Sequence, residues 1–422
     1  MKDSGDSVIG TIPGEWTLQR FKAFGEARNG LTYSPEDLTD ESGSLVLRSS
    51  NIQDGKLAFE DTVYVNTHVK PNLRVKGGDI LICSRNGSRN LIGKNALIPD
   101  GLDATFGAFM MLYRTTLRSR YVYYILNSPI FSTRIGSFLT TTINQLTVDT
   151  FLNMRFPFCS NAEEQNCIVR YLDSKCAEID SLRSDIQAQI ETLEEYKRSV
   201  VTEAVTHGLN PDTPMKDSGI PWIGQIPAHW EVERLKHYLH RFEPKNPGEK
   251  QVLSLYREYG VVPKDSRNDN YNVTSDDTSK YKYVRIGDFV VNKMKAWQGS
   301  VAVSAFEGIV SPAYYVYRFR NQLIDTRYFH FLIRSAYKDE FMRLSSGIRV
   351  DQWDLPSSQL DLVPLIVPPI VEQKKIVSFL KSQATEIDSL ITAKREQLAT
   401  LAEYRKSLIF EYITGKKEVP AA

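Results

Sequence analysis

Side chains suited to touching a nucleic acid gather at two places in this 422-residue chain. From Lys70 to Lys94 stand Lys70, Arg74, Lys76, Arg85, Arg89 and Lys94, against a single acid, Asp79. The loop inside that run reads Ser84-Arg85-Asn86-Gly87-Ser88-Arg89-Asn90. Arginine can reach guanine O6 and N7 with two hydrogen bonds, and asparagine can pair with adenine N6 and N7, so the composition suits reading of base edges. From Lys280 to Gln298 the pattern returns: Lys280, Lys282, Arg285, Lys293 and Lys295 against Asp288, closing on Trp297-Gln298-Gly299. A solvated charged loop is the competing explanation for either run. Secondary candidates are Arg48, Asn51 and Gln53, with Tyr256, Arg257 and Tyr259. Thr141-Thr142-Ile143-Asn144 and Ser346-Gly347-Ile348-Arg349 either meet backbone phosphates or turn the chain. Trp16 and Trp230 read as core residues.

Catalytic patterns do not stand out. There is no G-x-G-x-x-G loop. Asn127-Ser128-Pro129-Ile130 lacks the second proline and the aromatic of an adenine-methyltransferase motif. Gly87 to Lys94 looks like a phosphate-binding loop, but its glycines are one residue too far apart and Asn95 replaces the magnesium-binding hydroxyl. The histidines are scattered. Cys83, Cys159, Cys167 and Cys176 form no C-x-x-C pair and read as reduced thiols. No metal, no cofactor and no catalytic residue is expected in this chain.

A net charge of +1 confines any basic surface to a local patch. A composition 41% hydrophobic and 11% aromatic is that of a folded protein. No apolar run approaches a bilayer span, and the first residues carry no apolar signal core, so a cytoplasmic protein without membrane contact is expected.

The elements that must position these side chains come from an internal repeat. Residues 1–22, MKDSGDSVIGTIPGEWTLQRFK, match residues 215–236, MKDSGIPWIGQIPAHWEVERLK, at about a dozen positions. Glu164–Thr206 aligns without gaps on Glu372–Thr414 at an offset of 208, with EIDSL and EYKRS/EYRKS in both copies. Between these flanks the copies have diverged, though Val75–Ile80 still resembles Val284–Phe289. The two basic runs fall at matched repeat positions, which favours a shared role.

Each copy predicts an α+β domain followed by a long helix. Strands are expected at Leu45–Leu47, Asp79–Ile82, Phe109–Tyr113, Phe289–Val291 and Tyr314–Phe319, and single helices near Arg120–Leu139 and Asp325–Leu344. From Ala162 to Thr206 there is no proline or glycine. Ile168, Leu172, Ile179, Leu182, Ile186, Ile190, Leu193, Tyr196 and Val200 recur at coiled-coil spacings. Ile376, Leu380, Ile387, Leu390, Leu398, Leu401, Tyr404 and Leu408 repeat the stripe, with Lys394 interrupting it, and Tyr196 and Tyr404 are expected to close the seam. At about 1.5 Å per residue each helix is roughly 65 Å long. The expected partner of each stripe is the other copy, packed antiparallel with a pseudo-two-fold axis. Domain boundaries follow: 1–157 and 215–366 as recognition domains, 158–207 and 367–415 as helices, 208–214 as a linker, 416–422 as a tail.

The paired D-S-G-x-x-x-I-G-x-I-P-x-x-W motifs, E-Q-x-x-I helix starts and E-Y-(K/R)-(K/R)-S helix ends together resemble the specificity subunits of type I restriction–modification enzymes. The resemblance implies two target recognition domains, each reading one half of a bipartite, asymmetric double-stranded DNA target, held apart by the helices. It also implies two methylation subunits that bind S-adenosylmethionine, and two restriction subunits that use ATP and Mg2+. This chain itself would be non-catalytic. A coiled-coil adaptor without DNA specificity and a self-contained DNA-modifying enzyme are the alternatives.

Overall fold

A computed structural model describes residues 1–138, 144–248, 250–267, 274, 277–320, 322–347 and 353–420. The chain divides into two compact units, Met1–Gln187 with Arg395–Ala422, and Ala188–Lys394.

The first unit is organised by a four-stranded antiparallel sheet in the order Gly25–Asn29, Met110–Thr115, Ile80–Cys83, Asn95–Leu97. All four residues of Ile80–Cys83 are buried, which is why its sequence is a continuous apolar run instead of an alternating one. Successive side chains point to opposite faces. Ile80 and Ile82 enter one core with Met111 and Tyr113, while Leu81 and Cys83 enter a second with Met110, Leu112 and Ala96. A second sheet, Thr105–Phe106, Ser44–Leu47, Tyr64–Val65, Leu38–Thr39, contributes Leu47 and Phe106 to that second core.

The second unit repeats the main sheet in the same order: Leu239–Arg241, Tyr314–Phe319, Phe289–Asn292, Val301–Val303. Phe289 and Val291 face one core, Val290 the other. In both units the N-terminal motif forms a two-stranded ribbon, Lys2–Asp3 with Thr11–Ile12 and Met215–Asp217 with Gln225–Pro227. A further strand after it pairs with the strand that leads into a long helix, Thr17–Arg20 with Arg155–Phe158 and Glu231–Arg234 with Pro364–Val367.

The expected single helices are each split. Ser119–Leu126 is followed by Pro129–Phe138, and Thr326–Ser335 by Lys338–Leu344. In the first unit the cause is Pro129, which has no N–H and disfavours a helical residue before it. Ser128 Oγ donates to the Ile125 carbonyl at the break, 2.6 Å. In the second unit Tyr337 breaks the helix, fully buried, with its hydroxyl accepting from Ile366 N at 3.3 Å.

The long helices run Ala162–His207 and Ile370–Ile413. The glutamine of each E-Q-x-x-I motif is buried and ties down the entry to its helix. Gln165 Nε2 donates to the Cys159 carbonyl, and Gln373 Nε2 to those of Pro368 and Leu323. Within the first unit the helix segments pair antiparallel, Tyr171 against Tyr412 with ring centres 4.5 Å apart and Asp180 facing Arg405 at 3.8 Å. Within the second, Lys197 meets Asp388 at 2.7 Å. The stripe is less sealed than its spacing suggests. Leu182 and Leu390 are 51% and 47% exposed, and Tyr196 and Tyr404, expected to close the seam, are 53% and 54% exposed. The helices place these four side chains outside the seam, because angular position around the helix, and not spacing alone, decides burial.

Candidate nucleic-acid interface

The strand Ile80–Cys83 delivers the loop Ser84–Asn90, and a buried ion pair anchors the strand's other end. Arg114 donates from Nε and Nη2 to the two oxygens of Asp79, 2.7 and 2.6 Å. Asp79 also accepts the Lys76 backbone N–H at 2.8 Å. Gly78, at φ +82°, makes the turn that leads into it. The second unit has the same device, more loosely set. Arg318 donates to Asp288 at 3.2 Å, Asp288 accepts the Arg285 N–H at 2.8 Å, and Gly287 lies at φ +90°. Burial pushes the Asp288 carboxyl up, against the opposing effects of the Arg285 N–H and Arg318.

At the loop end of the strand the two units also match. Leu146 N donates to Ser84 O at 2.7 Å, and Leu355 N to Lys293 O at 3.0 Å. The chain following the paired short helices is thereby pinned beside the loop. In the first unit this arrangement walls a cleft of about 1160 Å3. Of the sequence candidates, Arg48, Arg85, Asn86 and Asn144 line it, joined by Phe109, Gln145 and Asp61. Phe109, expected inside a strand, precedes it and is 60% exposed. The Arg85 guanidinium lies over its ring, 5.2 Å from the centre. Arg48 is paired with Asp61 at 2.7 Å. Asn86 donates to Ser49 Oγ at 3.2 Å and accepts the Ser88 N–H at 2.9 Å.

The other first-unit candidates serve differently. Asn51 is fully buried; it accepts Arg48 N and donates to the carbonyls of Ala58 and Asp61, so it builds the cleft wall. Ser84 is buried and donates to Phe109 O. Arg89 reaches Gly136 O at 2.7 Å, and Arg74 pairs with Asp103. Gln53, Lys76 and Ser88 are exposed and Lys94 is half-buried, all four outside the cleft. Phe109, an aromatic two residues after Gly107, stands one residue before the strand in which its type and neighbours place it.

In the second unit Lys293 is tied to Asp354 at 2.9 Å, an ion pair that raises the lysine's pKa. Trp297 packs edge-on against Trp353, ring centres 5.6 Å apart, and its Nε1 donates to Met294 O. Lys295 is exposed and Gln298 half-buried in the same turn. Tyr256, Arg257 and Tyr259 sit on a hairpin, Leu253–Tyr256 with Gly260–Pro263. Arg267 covers Tyr259 at 4.0 Å. Arg334 holds the hairpin turn by donating to the carbonyls of Arg257 and Glu258, 2.6 and 3.0 Å. Arg349, and Thr141 to Ile143, lie outside the described residues. Trp16 and Trp230 are fully buried.

His330, behind that hairpin, is held down to about 4 by burial and then by Arg334, and its Nδ1 accepts the Val303 N–H. Its folded pKa is below its free value, so the stability it lends is complete above pH 6.5 and drains as pH falls toward 4. That window corresponds to about 3 kcal/mol. Urea melts of the wild type and His330→Gln are expected to converge as pH falls through it; parallel curves would refute the assignment.

Among the described residues no group of three or more His, Cys, Asp or Glu could hold a metal ion, and no helix is long and apolar enough to cross a membrane.

Two α+β frames of one design, each with its own exposed loop chemistry, make up a tandem two-unit protein. Residues 227–400 match the family described as type I restriction modification DNA specificity domain. The MjaX type I restriction enzyme specificity subunit of Methanocaldococcus jannaschii is 25% identical, over 97% of this chain and 96% of its own. The StySPI specificity subunit of Salmonella potsdam is 21% identical, over 96% and 90%. A chain from a solved structure concerning complex assembly and conformational transition of the type I R-M system has the same fold. It superposes with a TM-score of 0.67 at 14% identity, over 96% of this chain and all of that one. This chain is similar to type I specificity subunits along nearly its whole length, and residues 227–400 match the model of their DNA specificity domain.

Proposed function

We propose that this chain selects the DNA sequence for a type I restriction–modification complex and performs no chemistry of its own. Each unit reads one half of a bipartite target. The observation that carries this is the matched frame with unmatched loops: the same ion-paired strand and the same pinned segment present Arg85 and Phe109 in one unit, and Met294, Lys295 and Trp297 in the other. Equal scaffolds with different contacts produce an asymmetric target. The helices dock two methylation subunits, for which Leu182 and Tyr196, and their repeats Leu390 and Tyr404, supply exposed apolar side chains at equivalent positions. S-adenosylmethionine belongs to those subunits, ATP and Mg2+ to two restriction subunits, and adenine is extruded into the methylation subunit, since chemistry on a base requires leaving the stack.

The test is to co-express the chain with its methylation subunit in a methylation-free host and map N6-methyladenine. One split motif, methylated on opposite strands in its two halves, is the expected result. A stable complex that methylates no defined sequence would instead favour an adaptor role.

A further inference from the structure

Arg48, which lines the first-unit cleft, and three arginines elsewhere in the unit are already engaged. Arg48 is paired with Asp61, Arg74 with Asp103, Arg114 with Asp79, and Arg89 is bound to a carbonyl. Arg85 differs: its guanidinium carries no hydrogen bond or ion pair among the described residues, and it rests on the Phe109 ring. Stacking holds the plane of a guanidinium while leaving its N–H edge directed outward, so little rotamer freedom is lost when that edge binds. Directly across from it, Gln145 is its partner in an isolated antiparallel bridge. Both line the cleft, and the Gln145 amide likewise has no partner among the described residues. The two nearby amides, by contrast, are spent: Asn86 on Ser49, and Asn144 on Gly87 O at 3.2 Å.

We propose that Arg85, held by Phe109, reads a guanine in the half-site of the first unit, and that Gln145 reads an adenine in an adjacent base pair. Arg85 donates to guanine O6 and N7; the Gln145 amide pairs with adenine N6 and N7. Phe109 is a positioning residue that acts through Arg85. Residues facing each other across a bridge are spaced closely enough to serve neighbouring base pairs, whose rise is about 3.4 Å. In the second unit the corresponding positions are Met294 and Asp354, neither of which can make these pairs, so the other half-site must differ. This inference rests on the proposed DNA-reading function.

The test uses the co-expressed methylation complex with wild type, Arg85→Ala, Gln145→Ala, Phe109→Ala and Phe109→Tyr. Arg85→Ala and Phe109→Ala are expected to relax the same G·C position, with discrimination falling on the order of tenfold. Gln145→Ala relaxes the neighbouring A·T pair, and Phe109→Tyr, which keeps the ring, restores the guanine. Binding to a duplex with 7-deazaguanine at that position should weaken wild type and leave Arg85→Ala unaffected, a readout that a folding defect would not mimic. If the relaxed position is not a G·C pair, if both half-sites relax together, or if Phe109→Ala changes nothing, the inference is wrong while the DNA-reading function stands. Absence of any split motif with wild type would overturn that function, and this inference with it.

Discussion

Arg114→Met is expected to cost about 3–5 kcal/mol, because it leaves the Asp79 carboxylate buried without a countercharge. The side chain of Asp79 is 3% exposed, and both its oxygens are taken by Arg114 at short distance. Removing both charges together, in Asp79→Leu with Arg114→Met, should recover only part of the loss, since the Lys76 N–H then has no acceptor. The matching change Arg318→Met should cost less. There the contact is a single one at 3.2 Å, and burial has already pushed the Asp288 carboxyl up, so less compensation is lost. Chemical denaturation of the three variants orders these effects; an equal cost in both units would contradict the geometry. Function should follow stability in the first unit, because the same strand carries Arg85 at its far end.

Trp16→Ala is expected to cost about 3–5 kcal/mol through the cavity left by a fully buried indole. The site is unusually closed. Gly415, just past the second long helix, lies at φ +66°, and a methyl group there would fall 2.5 Å from Pro13 Cγ and 3.3 Å from the Trp16 ring. The tryptophan therefore holds the helix end against the N-terminal ribbon of the same unit. Hydrogen exchange at Leu408–Ile413 should speed up in Trp16→Ala more than at Ile80–Cys83. If the helix end stays fully protected, Trp16 does not anchor it. The second unit has the same contact, with Gly208 at φ +80° against Trp230 and Pro227, which explains why the repeat kept a tryptophan and a proline at these spacings.

The repeat, the α+β character and the long helices were legible in the chain because each depends on local pattern: matched motifs, apolar runs such as Ile80–Cys83, and a stretch without proline or glycine. Boundaries shifted where one residue altered the backbone, as Pro129 did. Which residues face outward was not legible. Asn51 and Ser84 have base-reading chemistry by type, yet their partners are carbonyls 7 to 25 residues away, in Ala58, Asp61 and Phe109. Tyr196 and Tyr404 keep helical spacing yet stand clear of the seam.

What the sequence determined by itself is the scaffold, since periodicity and turn chemistry act through near neighbours along the chain. Only the tertiary structure decided which residues form the candidate site. Arg85, Phe109 and Gln145 come from three separate segments, and the Arg85 guanidinium lacks a polar partner among the described residues while folding brings Asp61 to Arg48.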